Sequence, residues 1–331
     1  MRNSSVSRSA TLLLEMLIST SDRGFFNRVR WKSLLMARRV VLRFGDPVVE
    51  YKLYGSVLRM PLSHGLPIIL RSYPLYSDNL GRIAAHLSAK YSDLAVIDIG
   101  ANVGDSVVIL HQHVRMPVLC VEGEPRFCEF LAENVSKMLP APVIEQSFVS
   151  MSSQGFTPVV HDGTARLSRA QSGNGHELPT KSFEEILREY PSFQSAHLVK
   201  VDTDGMDVAI LSSADDWIAQ QKPVLFFEYD PDLQVPHGVD GLDLLDRLKG
   251  HGYHRVLVYE NTGDYMFSAE LTNQTLLSEL HEFFSGRHSA RYCDLCVFHS
   301  QDEDIAESIR RSELDVFRAA RHYVPSRESG R

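Results

Sequence analysis

Residues 96–105 read VIDIGANVGD. A short apolar run carries Asp98 and ends at Gly100. Asn102 separates that glycine from Gly104, and Asp105 opens the apolar stretch SVVILHQHV. A strand that turns on glycines into a helix lets a ligand approach the backbone closely, because glycine has no Cβ and tolerates positive φ. Two familiar ligand turns do not fit. A P-loop needs a lysine after its last glycine, and none follows Gly104. A dinucleotide fingerprint counted from Gly100 would need glycines where Asn102 and Asp105 stand. What remains is D-x-G-x-N-x-G-D.

Outward from this turn the chain alternates regularly. Strand-like AVIDIG, PVLCVEG, APVIEQSFVS, AHLVKVDTDG and PVLFFEYDP are separated by helix-like SVVILHQHV, PRFCEFLAENVSKML, SFEEILREY, MDVAILSSADDWIAQ and GLDLLDRLKGHG. Alternation of this kind predicts an α/β fold: a doubly wound, mostly parallel, Rossmann-like sheet covered on both faces. YHRVLVYEN and YCDLCVFHS near the end predict an antiparallel edge. Before the alternation, residues 46–76 look strand-rich with a turn at Gly55, and within and beyond them PLSHGLPIILRSYPLYSDNL (61–80) reads as a loop placed to lid the site. NLGRIAAHLSAKY then reads as a helix. A polar insert at 161–178 is a second closing segment. The expected division is an N-terminal extension and substrate lid over 1–90, a main domain over 91–300 and a charged, helical tail over 301–331.

Composition narrows the classes. The chain has 331 residues and a net charge of −8, which speaks against general nucleic-acid binding. Four cysteines are too few for a disulfide framework. Cys293 and Cys296 form a C-x-x-C without the second pair a zinc site would want, and a strand with alternating faces accounts for them. Residues 23–44 hold seven Lys/Arg and no acid, interleaved with Phe, Trp, Leu and Val. On a helix this pattern suits an anionic membrane surface over residues 23–43, or packing on the domain with the arginines solvated. No stretch is long and apolar enough to span a membrane, so a cytoplasmic location, with peripheral membrane contact as an option, is the expectation. Nothing in the sequence indicates an oligomeric state.

Glu122 ends the strand after the glycine turn, where an acid can accept hydrogen bonds from both hydroxyls of a ribose, with Glu124 as a nearby alternate. The pattern D-x-G-x-N-x-G-D resembles motif I of class I S-adenosylmethionine-dependent methyltransferases. That resemblance implies S-adenosylmethionine as cofactor. Asp98 would orient its ammonium directly or through water, Gly100 and Gly104 would give it room, and Asn102 and Asp105 would supply further polar groups. Glu122 would hold its ribose, and the adenine would lie near Ser147 and Phe148.

The run LVKVDTDGMDVAIL…KPVLFFEYDP is more specific. It resembles the FkbM family of methyltransferases, whose fourth strand reads K-[IV]-D-[VI]-[ED]-G and whose fifth ends in an acid. The matching positions are Lys200, Asp202, Asp204, Gly205, Asp207 and Glu228. Asp204 stands where the family more often has Glu. The resemblance covers about residues 93–230 and implies O-methylation of a sugar, polysaccharide, lipid-linked glycan or polyketide.

A hydroxyl acceptor needs its proton removed, so the carboxylates past strands four and five are the candidate catalytic groups: Asp202, Asp204 and Glu228, with Asp230 beside them. A metal-free base is favoured over a divalent ion held by the same acids. His64, His161 and His237 are lesser candidate bases, and Tyr73 and Tyr76 candidate sugar contacts. A non-catalytic binder on the same scaffold is the competing class.

Overall fold

The computed structural model describes residues 5–21, 24–150, 156–161, 164–169, 179–287 and 291–322. Helices α1 (Arg8–Ser19) and α2 (Phe25–Phe44) lead into a hairpin of β1 (Val48–Leu53) and β2 (Ser56–Pro61), turning at Gly55. Two helices follow, α3 (Leu66–Ser72) and α4 (Asp78–Lys90). The alternation then runs β3 (Val96–Ile99), α5 (Asp105–His113), β4 (Val118–Val121), α6 (Pro125–Val135) and β5 (Val143–Glu145). Four further strands lie off the main sheet: β6 (Phe148–Val149), which pairs with β9 (Thr180–Lys181), and between them β7 (Phe156–His161) paired with β8 (Thr164–Arg169). Next come α7 (Phe183–Glu189), β10 (Leu198–Val201), α8 (Asp207–Ser213), α9 (Asp215–Gln221) and β11 (Val224–Tyr229). The chain ends with α10 (Pro231–Gln234), α11 (Gly241–Gly250), β12 (Tyr253–Glu260), β13 (Tyr265–Glu270), α12 (Gln274–Phe284), β14 (Cys293–His299) and α13 (Glu303–His322).

The main sheet has eight strands in the order β13-β12-β14-β11-β10-β3-β4-β5. Strands β11, β10, β3, β4 and β5 are mutually parallel, while β14, β12 and β13 complete an antiparallel edge. The expected α/β architecture is therefore the observed one. Strands β3, β4, β10 and β11 are buried throughout, as strands covered on both faces must be, and only β5 at the sheet's edge is partly exposed among the parallel strands. One face packs α7, α8, α11 and α12 against Ile97, Ile99, Val199, Val201, Leu225 and Phe227. The other packs α4, α5, α6 and α13 against Val96, Val118, Leu198, Val224 and Phe226. Cys293 belongs to the first core and Cys296 to the second, so the C-x-x-C is split across the sheet.

Three local readings need correction. Residues 61–80 are not a loop. Leu66 and Leu70, four apart, bury on one face of α3, and Pro67 sits in the first turn, where a missing N–H costs nothing. The proline and serine content hid that helix. APVIEQSFVS is broken at Gln146–Ser147, because β6 leaves the sheet to pair with β9. MDVAILSSADDWIAQ is two helices that meet at Ala214.

Helix α13, which makes up most of the described part of the expected 301–331 tail, packs on the domain. Ile305, Ala306 and Ile309 of α13 bury in the second core. Arg82 of α4 donates to both oxygens of buried Glu313, at 2.9 and 2.8 Å. The N-terminal elements form a third core, with Leu14, Val49, Leu58, Met60 and Leu66 meeting Val108 and Ile109 of α5 and Phe127 of α6. The insert expected at 161–178 falls largely outside the described residues. Among those described, no helix is long and apolar enough to cross a membrane.

Candidate active site

The chain passes from β3 to β4 and β5 on one side, then returns to place β10 and β11 on the other. Open α/β sheets bind ligands outside the carboxyl ends of their strands at such a reversal. A cavity of about 240 Å³ lies there, walled by the ends of β3, β4, β10 and β11 and by the 64–80 segment.

The glycine turn is built by its neighbours. Gly100 has φ +82°, and a Cβ there would lie 1.9 Å from the backbone carbonyl oxygen of Asp202. Gly104 has φ +87°, and its Cβ would meet Leu131 Cδ1 at 2.9 Å. Both glycines therefore answer to the protein's own packing, whatever room they also give a ligand. Gly100 still reaches the cavity wall, whereas Gly104 does not belong to it.

Asp98 lies beneath the turn. Its side chain has 0% exposure and is absent from the wall. It accepts from Ser106 Oγ and pairs with Lys200 Nζ at 3.0 Å. Lys200 lies opposite Asp98 in the parallel register and also donates to the Gly100 carbonyl at 3.0 Å. A second carboxylate, Asp202, stands 3.4 Å from the same ammonium. Burial pulls the Lys200 pKa down, but Asp98 and Asp202 outweigh it and hold the ammonium firmly charged. Asp98 and Lys200 thus brace the turn from beneath, and Asp98 does not line the cavity.

Glu122 is placed as expected, 6% exposed and facing the cavity. Its two oxygens accept from the backbone N–H of Asn102 at 2.8 Å and of Glu124 at 2.7 Å. That leaves lone pairs for two further donors. Burial pushes its pKa up to about 7, against the two backbone hydrogen bonds. Ser147 and Phe148 also line the cavity, and the Phe148 ring covers Gly123 so closely that a Cβ there would lie 2.3 Å from it. Asn102 and Asp105 complete this side.

The carboxylates past β10 and β11 converge on the same space: Asp202, Asp204 and Glu228 all line it. Asp204 has φ +54°, a left-handed conformation that Asp tolerates better than most residues. Asp207 sits behind them, buried. It accepts from Thr203 Oγ1 at 3.0 Å and the Gly205 N–H at 3.2 Å, and so fixes the turn that carries Asp204. Burial, then the charge of Asp202, lifts the Asp207 pKa to about 7. Asp230 caps α10 through the N–H groups of Asp232 and Leu233. It does not line the cavity. Among the described residues no three His, Cys, Asp or Glu side chains are grouped to hold a metal ion.

His64 reaches the cavity but is not free to take a proton. Its Nδ1 accepts from the Leu66 N–H at 3.2 Å, which leaves Nε2 as the protonated nitrogen, 3.2 Å from Asn102 Oδ1. Burial lowers its pKa. Tyr76 lines the cavity; Tyr73 and His237 do not.

Residues 98–255, which span the glycine turn and every acid just described up to Asp230, match the family model described as methyltransferase FkbM domain. The chain carries an FkbM methyltransferase domain. No curated protein matches the chain in sequence. Solved structures similar to it include a methyltransferase FkbM from Methylobacillus flagellatus KT. That pair is 14% identical with a TM-score of 0.38, over 62% of this chain and 43% of that one. Magnesium protoporphyrin IX methyltransferase from Synechocystis PCC 6803, solved with bound SAM, is 12% identical with a TM-score of 0.37, over 90% of this chain and 100% of that one. The O-methyltransferase from Bacillus cereus, in complex with SAH, is 8% identical with a TM-score of 0.34, over 66% and 80%.

The methyltransferase domain's cavity also takes groups that sequence reasoning passed over. Asp294 and Tyr292 enter from β14 and the residue before it, and Asn261 from the turn after β12. Asp294 lies directly opposite Glu228 in the antiparallel register. Two like charges in that position repel strongly. Burial first, then the surrounding acids, holds both carboxyls well above the usual range. A signal was present: an aspartate between two cysteines in an otherwise apolar strand is costly unless it serves the site.

Proposed function

We propose that the methyltransferase domain binds S-adenosylmethionine in this cavity and methylates a hydroxyl of a sugar, polysaccharide or lipid-linked glycan. Glu122 carries the reading. It is a strand-end carboxylate held rigid by two backbone N–H groups, with acceptor capacity left for a vicinal diol. Phe148 and Ser147 offer an aromatic and a polar wall for a base beside it. The cofactor supplies a methyl group on a sulfonium, already a good leaving group. The chain's tasks are therefore to hold the acceptor oxygen in line and to remove its proton. Asp202, Asp204 and Glu228 perform them from the β10–β11 side. Glu228 is the most deeply buried of the three, and burial raises its pKa, which makes its carboxylate a stronger proton acceptor.

The test is calorimetric titration with S-adenosylhomocysteine across a pH series. A ribose diol donates to the ionised Glu122, so affinity is expected to rise up to about tenfold per unit from about pH 5 to 7 and to level above that. The empty site has the opposite preference. Its Glu122 pKa is raised, so the stability this group contributes is present at acid pH and is lost as pH rises towards about 7. Glu122→Ala is expected to weaken binding by about 100-fold or more, the loss of two charge-assisted hydrogen bonds, and to flatten the pH profile. Failure of the unaltered protein to bind, or equal binding by both, would overturn the reading.

A further inference from the structure

Helix α2 has two apolar faces. Trp31, Leu34, Leu35, Val41 and Leu42 are half-buried and turn inward, and none of its residues is fully buried. The opposite side carries Phe25, Phe26, Val29, Met36, Val40 and Phe44, all exposed, with Phe26 at 85% and Phe44 at 90%. At 100° per residue these six fall within about one-third of the circumference, which makes a single stripe. Arg28, Lys32, Arg39 and Arg43 lie along one margin of the stripe and Arg30 along the other, all exposed. None of these five pairs with an acid among the described residues. A helix that only packed on the domain would have no use for this outer stripe, since burying apolar area is what stabilises such packing.

We propose that this outer face of α2 docks on an anionic lipid bilayer. The stripe would enter the headgroup–acyl boundary, with the basic margin at the phosphate level. The charge pattern singles out this occupant. The whole chain carries −8 while residues 23–44 carry seven cations and no acid, so this segment is strongly basic in an acidic chain. Large aromatic residues at both ends of the stripe suit a planar interface better than a compact protein groove.

The helix is also tied to the cavity. Arg38, on its inner side, donates to the carbonyls of Leu62 at 3.0 Å and Ser63 at 2.6 Å. The next residues, His64–Leu66, form part of the cavity wall. A docked α2 would therefore hold that wall against the lipid surface. The proposal rests on the surface alone and stands whether or not the cavity transfers methyl groups.

The experiment is flotation of the full chain with vesicles of neutral phosphatidylcholine, and with vesicles containing about one-third phosphatidylserine. Binding to the anionic vesicles is expected to exceed binding to neutral ones by about tenfold or more and to weaken sharply in high salt, where the screening length falls from about 10 to 3 Å. Phe25→Asp/Phe26→Asp/Phe44→Asp is expected to lower the anionic binding by at least about tenfold while leaving the melting temperature unchanged, since the three side chains are exposed. Arg28→Glu/Arg39→Glu/Arg43→Glu tests the charge margin independently, with the same expectation. Equal binding to both vesicle types, no binding, or unchanged binding by both variants would overturn the proposal. So would a concentration-dependent dimer, seen by light scattering and abolished by the same aromatic variant, in a protein that does not float.

Discussion

Lys200→Met is expected to destabilise the protein by about 3–5 kcal/mol, the range for stripping one partner from a buried ion pair. Methionine keeps most of the side-chain volume, so the loss would be electrostatic rather than a cavity effect. Asp98 would remain with 0% exposure and only the Ser106 hydroxyl to satisfy it. The Gly100 carbonyl would lose its donor in the same step. Chemical denaturation of the single variant, of Asp98→Asn and of the double variant forms a cycle. If the ammonium's main task is to neutralise Asp98, the double variant should recover about 1–3 kcal/mol relative to the sum of the singles. A single-variant loss below about 1 kcal/mol would remove the pair from any role in bracing the turn.

Gly100→Ala is expected to cost about 3 kcal/mol or more and to abolish S-adenosylhomocysteine binding. Two effects add. An alanine at φ +82° carries the left-handed penalty of about 1–2 kcal/mol. Its Cβ would also sit 1.9 Å from the Asp202 carbonyl oxygen, which is backbone and cannot swing aside. Relief requires the ends of β3 and β10 to separate, and those ends are the floor of the cavity. Gly104→Ala is the internal comparison. Its conformation is just as unusual, but its Cβ would meet the side chains of Leu131 and Val135, which can shift. It should cost about 1–2 kcal/mol and leave binding largely intact. Thermal melts and titrations on both variants check the contrast, and equal losses in both would contradict the role assigned to Gly100.

The sheet was legible in the sequence because its parallel strands are short apolar runs at regular spacing, each bounded by a turn residue. The Glu122 side of the site was legible for a related reason: an acid at a strand end has few structural uses. The parts not legible there share a different cause. Asp98 and Glu122 are both strand-associated acids, yet one faces Lys200 and the other the cavity. That difference depends on which sheet face the residue takes and on what lies in register beside it. Asp294 lies 92 residues beyond Asp202 and joins it only because β14 pairs with β11. No local pattern carries such a pairing. Helix α3 was missed because Pro67 counts as a loop signal until its place in the first turn is known.

The position of β14 has a consequence for how the molecule comes into being. It follows every other strand of the main sheet in the chain, yet it lies inside the sheet, between β11 and β12. While a ribosome is still translating the preceding helix, both of those strands would present bare backbone edges, with Phe226 and Leu257 beside them. Such edges invite pairing with other chains. The same arrival brings Asp294 to the acids of β10 and β11, so the pocket cannot be finished early. Removal of the final forty residues would therefore act as a wedge driven into the middle of the sheet and could not be a trim of its border.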